Sequence, residues 1–174
     1  MKFLKIYSNK EIASGTSSTN NTTLTDASAT FTSTVNVGDV VFSTGGQSSG
    51  TIVSIDSDTV LTLSRNIGTI GAYKIYSATQ FVNPRMVIID KMIAINTAYS
   101  TRADIIYAPN SGGDNILLAL TASPVESGLE MLLNAYIEEA LKSTLKPSNT
   151  VEVKLPVVST ANGALAITSV NPVN

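Results

Sequence analysis

Between Thr25 and Ser77 closely spaced turn residues cut the chain into short β-branched runs, and no other feature restricts its fold as much. Ala29-Thr30-Phe31 leads through Val37-Gly38-Asp39 into Val40-Val41-Phe42. Thr51-Ile52-Val53-Ser54-Ile55, Thr59-Val60-Leu61-Thr62-Leu63 and Ala72-Tyr73-Lys74-Ile75-Tyr76 follow. Runs this short cannot sustain a helix on their own, and Val, Ile, Thr and aromatic side chains suit a pleated, half-buried surface. Gly45 to Gly50 and Asp56-Ser57-Asp58 supply turn chemistry between them. Leu61/Leu63 and Tyr73/Ile75 alternate with polar neighbours, which turns one side of each strand inward. The pattern predicts a small antiparallel barrel or sandwich. At about 50 residues such a module sits near the lower limit of independent stability and should lean on the rest of the chain.

The flanking sequence predicts further strands. Lys2 to Tyr7 is one, followed by a polar stretch, Ser14 to Thr23, that reads as a loop. Asn83-Pro84 marks a boundary, after which Met86–Ile89, Met92–Ile95, Ala103–Ala108 and Asn115–Thr121 read as strands, with a turn at Asn110–Asp114. A helix is expected from Pro124 to Leu145. Ser123 is its N-cap, Glu126 completes a capping box, and Leu129, Leu132, Leu133, Tyr136, Ile137, Ala140 and Leu141 form one apolar stripe. Lys142 and Lys146 complement its dipole and Pro147 ends it. Val151, Val153 and Leu155 then alternate as a half-buried strand, and Asn162-Gly163 signals a hairpin into Ala164–Val170. The expected class is therefore mainly β with one long amphipathic helix (α+β): an antiparallel sheet or sandwich core carrying a small inserted β-barrel-like module. The expected divisions are 1–24 (a strand and a polar loop), 25–77 (the β-module) and 78–174 (a helix-backed β domain with which residues 1–7 pair).

Composition narrows the chemistry. Among the 174 residues there is no cysteine and no histidine. Disulfides, thiol catalysis, Cys/His zinc sites and His-based acid–base pairs are excluded together. A net charge of -2 gives no basic footprint for nucleic acid. No apolar run is long enough for a membrane span, and Asn9-Lys10-Glu11 interrupts the apolar start before it can form a signal peptide. Charged residues are 14% of the chain, their place taken by Thr, Ser, Asn and Ala.

Each candidate for chemistry has a plainer structural reading. The Gly45–Gly50 loop lacks the lysine and following helix of a phosphate-binding loop, so it reads as a hairpin turn. Asp56 and Asp58 open like a calcium loop but lack its glycine and its position-12 glutamate, leaving a solvated turn. Glu130, Glu138 and Glu139 lie on a polar helix face and define no carboxylate pair. No catalytic residue, cofactor site or metal site is expected. Tyr73, Tyr76, Tyr99 and Tyr107, with Arg85 and Arg102, are candidate protein-interface residues; the tyrosines serve equally well as core. Lys91 stands with the two arginines around Met86–Ile95.

Phe31, Val37-Gly38-Asp39-Val40-Val41 and Gly50-Thr51-Ile52-Val53-Ser54-Ile55 through Thr59-Val60-Leu61-Thr62-Leu63 resemble a small β-module of tailed-phage virion proteins. That module consists of an aromatic strand, a V-G-D turn and two further strands. The C-terminal part, with its expected helix, Val151-Glu152-Val153 and a last strand ending Ile167-Thr168-Ser169-Val170, looks like small phage structural proteins. The resemblance covers about two-thirds of the chain and transfers no site residues. It implies a non-enzymatic capsid decoration (cement) or auxiliary head protein, assembled in the host cytoplasm and located in the virion. The major capsid protein or other virion subunits would be its partners, with a homo-oligomer, such as a trimer, its working form. The alternatives are a glycan- or ligand-binding module of a fibre or tail, with Tyr73 and Tyr76 as its aromatics, and a head–tail connector or tail component.

Overall fold

A computed structural model describes residues 3–17, 21–43, 48–67, 71–88, 92–99, 102–107, 117–123, 150–153, 158–160 and 163–173. The elements in chain order are β1 (Phe3–Ser17), β2 (Thr23–Thr25), α1 (Phe31–Thr34), β3 (Val40–Ser43), β4 (Ser48–Ser57), β5 (Val60–Leu63) and β6 (Gly71–Ile88). Then come β7 (Met92–Tyr99), β8 (Arg102–Tyr107), β9 (Leu117–Ser123), β10 (Thr150–Val153), β11 (Val158–Thr160) and β12 (Gly163–Val173). The protein is mainly β, and the α+β expectation is overturned. Among the described residues the one helix, α1, has four residues, and none reaches seven. The case for α+β rested on helical spacing in one stretch, 124–145, which lies outside the described residues; most of what is described is strand.

Seven strands form one sheet in the order β10-β1-β6-β3-β4-β5-β2, and five form a second in the order β11-β12-β9-β8-β7. All pairings are antiparallel except β1 with β10, where Phe3 lies opposite Thr150. The strands expected to form a separate inserted module therefore share a sheet with β1 and β10. The long strands β1 and β6 make this continuity, running side by side from Phe3↔Ile88 to Ser17↔Gly71. The strands either side of Asn162-Gly163 pair antiparallel, Thr160 opposite Gly163.

The sheet curls around a core to which β2, α1, β3, β4, β5 and β6 all contribute: Leu24, Phe31, Val41, Ile52, Leu61 and Ile75 are buried there. Ile12 and Ala13 of β1 pack against it. Each large apolar side chain removed from water contributes about 1.5–3 kcal/mol. Thr25 donates its backbone N–H to Ser17 Oγ at 3.3 Å, which brings the β2 edge back to the end of β1. Val40, next to Val41, is buried on the other face, clustered with Tyr76 and with Ala166 of β12. Because β3 is covered on both sides, its sequence is a continuous apolar run rather than an alternation.

Two irregularities interrupt the β1–β6 ladder. Two residues of β1 (9 to 11) span five of β6 (76 to 81), so residues 77–80 bulge from the ladder. Ala78 N–H is taken by Asp39 Oδ1 at 2.9 Å, and the amides of Thr79 and Gln80 by Ser77 Oγ at 3.3 and 3.2 Å. Asp39, 1% exposed, also accepts Asn36 N–H on Oδ2 at 2.8 Å. Gly38, at φ +94°, makes the turn that aims this carboxylate inward, which accounts physically for the Gly-Asp pair. The second irregularity is at Asn83-Pro84, expected to be a boundary. It lies inside β6 at a register shift, with Asn83 at φ +49°, where proline's missing N–H costs no ladder bond.

Two local expectations are also corrected. Residues 14–17, read as loop, belong to β1, paired with Lys74, Tyr73, Ala72 and Gly71. Their backbone ladder needs no apolar side chains. Phe31, expected on a strand, starts α1, because the Thr30 carbonyl collects Ser33 N–H, Ser33 Oγ and Thr34 Oγ1 at 3.0–3.1 Å.

Asp39→Ala removes the acceptor of two part-buried amides, Asn36 and Ala78. Water reaches the exposed Asn36, so a loss of about 1–3 kcal/mol, the range for one orphaned group, is expected, read as a lower urea midpoint with an unchanged slope.

Candidate functional site

The most site-like place is a shallow cleft of about 210 Å³ lined by Ala13, Ser14, Asp26, Ser28, Phe31 and Tyr73, among others. Its floor is the Asp26 carboxylate, 7% exposed. Asp26 follows β2 directly, and its own N–H binds the Thr59 carbonyl at 2.9 Å, fixing the direction of the side chain. Oδ1 accepts Ser28 N–H at 2.9 Å and Ser28 Oγ at 2.6 Å, an Asx-type turn. Oδ2 accepts the Tyr73 hydroxyl at 2.7 Å, and the Thr16 N–H also donates to the carboxylate. The Ser28 hydroxyl first, and Tyr73 next, hold the Asp26 carboxyl below its ordinary value, against the effect of burial. Tyr73 is pushed the other way, well above the usual phenol range, by burial first and by the Asp26 carboxylate second.

This arrangement fastens the sheet rather than performing chemistry. An acid stabilised as its anion by four donors is a poor base, and a phenol donating to it holds its proton firmly. The Tyr73 ring lies against Phe31, centroids 6.3 Å apart, inside the core. A Cβ on Gly15 would collide with Asp26 Oδ2 and the Tyr73 hydroxyl, so glycine on β1 leaves room for the bond.

On the outer surface the carboxylates are again occupied. Asp56 accepts Ser54 Oγ at 2.8 Å and Thr62 Oγ1 at 2.7 Å, and these bonds, Thr62's first, lower its pKa. Asp58 accepts the Thr32 hydroxyl. Among the described residues no group of three or more acidic side chains is placed to hold a metal ion. On β1, β6 and β10, Lys74 pairs with Glu11 at 2.8 Å and Lys5 with Glu152 at 3.5 Å. The Tyr7 hydroxyl donates to Glu152 at 2.9 Å, and its ring meets Phe81 edge-on at 6.4 Å.

The expected interface residues are divided between the two sheets, Tyr73, Tyr76 and Arg85 on β6 and Tyr99, Arg102 and Tyr107 on β7 and β8. Tyr73 is 2% and Tyr76 6% exposed; both rings are core, so neither offers the flat exposed aromatic that a glycan site needs. Arg85 lies on β6 opposite Ile6; Tyr99 and Arg102 face each other across β7 and β8; Tyr107 is opposite Met92. Lys91 and the Gly45–Gln47 part of the glycine-rich turn lie outside the described residues, as do Glu130, Glu138 and Glu139. The buried polar residues Asn9, Asp26 and Ser77 had not been singled out, although Asp26-x-Ser28 is a recognisable Asx signal. No helix among the described residues is long and apolar enough to cross a membrane.

No family model, no curated protein and no solved structure matches this chain.

Tyr73→Phe should cost about 1.5–3 kcal/mol, the range for a hydrogen bond to a charged group, with Gly15→Ala also destabilising; thermal melts check both. Because the folded Asp26 pKa lies below 3.8, its contribution is complete above that pH and is lost as pH falls through the folded value. Asp26→Asn should therefore be less stable at neutral pH and show a shallower loss of stability in acid, read by urea titrations across pH 2–5.

Proposed function

We propose that this chain is a non-enzymatic virion structural protein, a decoration or auxiliary subunit that stabilises neighbouring subunits of a tailed-phage head. The observation that carries the reading is how the polar groups are used. The buried carboxylates and amides are spent on backbone amides and hydroxyls, while the outer face of β4 and β5 is built of short hydroxyls holding their acids in place. Ser and Thr lose less side-chain freedom on burial than Lys, Glu or Gln, so such a face is inexpensive to cover with another protein. Val37 and Val53, 63% and 52% exposed, add apolar area to it, brought close by the Gly38 N–H bond to the Ile52 carbonyl. The V-G-D turn and the strands after it carry the phage resemblance, and the structural demand on Gly38 and Asp39 gives that motif a physical reason. Many copies on a shell would add weak contacts into a stable coat. On β1, β6 and β10 the exposed charges Lys5, Glu152, Lys74 and Glu11 are paired with one another.

Light scattering across a tenfold concentration range is the first test, with a closed ring of three or more copies expected. The second is co-sedimentation with undecorated heads of the phage that encodes the chain. A strict monomer that stays in the supernatant with those heads would overturn the proposal.

A further inference from the structure

Asn9 is 2% exposed and works in two directions. Its Nδ2 donates to the Ser77 carbonyl at 2.9 Å, at the root of the 77–80 bulge. Its Oδ1 accepts the N–H of Ile167 in β12 at 3.0 Å. Ile167 is itself at an irregular point, where the β12–β9 register slips between Ile167 and Ser169. One buried amide thus joins a bulge of the seven-stranded sheet to the last strand of the other sheet. The far end of the bulge is exposed at Thr79 and Gln80, and its amides are held by Ser77 Oγ and Asp39. The core beneath β2–β6 is a separate cluster: its buried members run from Leu24 to Ile75 and include no residue of β12.

We propose that Asn9 is a latch that couples the exposed 77–80 bulge to β12, so that the bulge opening and β12 loosening are a single event. The coupling would run through these two bonds: lifting Ser77 out of place removes the acceptor that orients the Asn9 side chain, and a reoriented side chain no longer faces Ile167. A contact made at Thr79–Gln80 would then reach the second sheet without disturbing the first sheet's core. This goes beyond the assembly reading and does not depend on it.

Amide exchange resolved by NMR tests it, with Leu61 and Leu63 as internal references for the core. Asp39→Asn weakens the hold on Ala78 without touching β12, yet it should speed exchange at Ile167 together with Ala78–Gln80, by about tenfold or more. Asn9→Ala should do the same from the other side. Asn9→Asp places a carboxylate against the Ser77 carbonyl. It should speed exchange at Ala78–Gln80 and at Ile167 together, because the side chain loses the bond that orients it; a bulge that opens while Ile167 stays protected would overturn the proposal. Unchanged exchange at Ile167 in Asp39→Asn would overturn the proposal. So would equal acceleration at Leu61 and Leu63, or an Asn9→Ala protein that does not fold, since either would mean the core does not stand apart from the latch.

Discussion

Four residues of β6, 77–80, leave their ladder in the middle of a long strand, and the amides of Ala78, Thr79 and Gln80 take side-chain acceptors in its place. The rest of the architecture depends on that change of partners. Asp39 and Ser77 supply the acceptors, and Asn9 ties the same point to β12. Just before the bulge, ordinary strand alternation turns Tyr73 and Ile75 to one core and Tyr76 to the cluster under β12. The position of Asp39 follows in turn from Gly38, whose left-handed backbone brings the carboxylate inward.

Asp26 plays the matching part at the other end of the curled sheet. It binds β1 through Thr16, β6 through Tyr73 and its own turn through Ser28. Ladder hydrogen bonds join strands along their length, whereas these side chains join places where ladders end or slip. A chain without cysteine has no disulfide to fix such places. Here buried carboxylates and an amide do so, each hydrogen-bonded through both of its polar atoms. That use of the acids also explains why the cleft beside Asp26 has the residues of a reactive site without the freedom to act as one.

Much of the strand pattern was legible. Val40–Phe42, Thr51–Ile55 and Val60–Leu63 announce themselves by β-branched content and by the turns between them, and Val151/Val153 by alternation. Failures fell where tertiary contacts outrank local composition. Ser14 to Ser17 look like loop because their side chains are polar, yet their backbone is paired throughout with β6. Asn83-Pro84 looks like a boundary because proline breaks ladders, but a register shift accommodates it within a strand. Phe31 looks like strand beside Thr30, Thr32 and Thr34, whereas hydroxyl bonds to one carbonyl turn that stretch into a helical turn. The helical spacing of 124–145 suggested a class that the described residues do not share. Of the cleft, Tyr73 was named and Asp26 was not; Asn9 stood out merely as a polar interruption, since nothing local reveals a partner 158 positions away.

The parallel pairing of β1 with β10 sets a schedule for synthesis. Phe3 to Ile6 have Thr150 to Val153 on one side and Arg85 to Ile88 on the other. As the chain leaves the ribosome, β1 emerges first, gains its β6 neighbour midway and keeps one edge open until residue 150 appears. Contacts this distant in sequence slow folding and prolong the exposure of unpaired backbone. That strand edge therefore stays available while the residues between β6 and β10 are being made, and Lys5 and Lys10, placed along the strand, are the kind of charge that discourages a wrong neighbour from pairing there first.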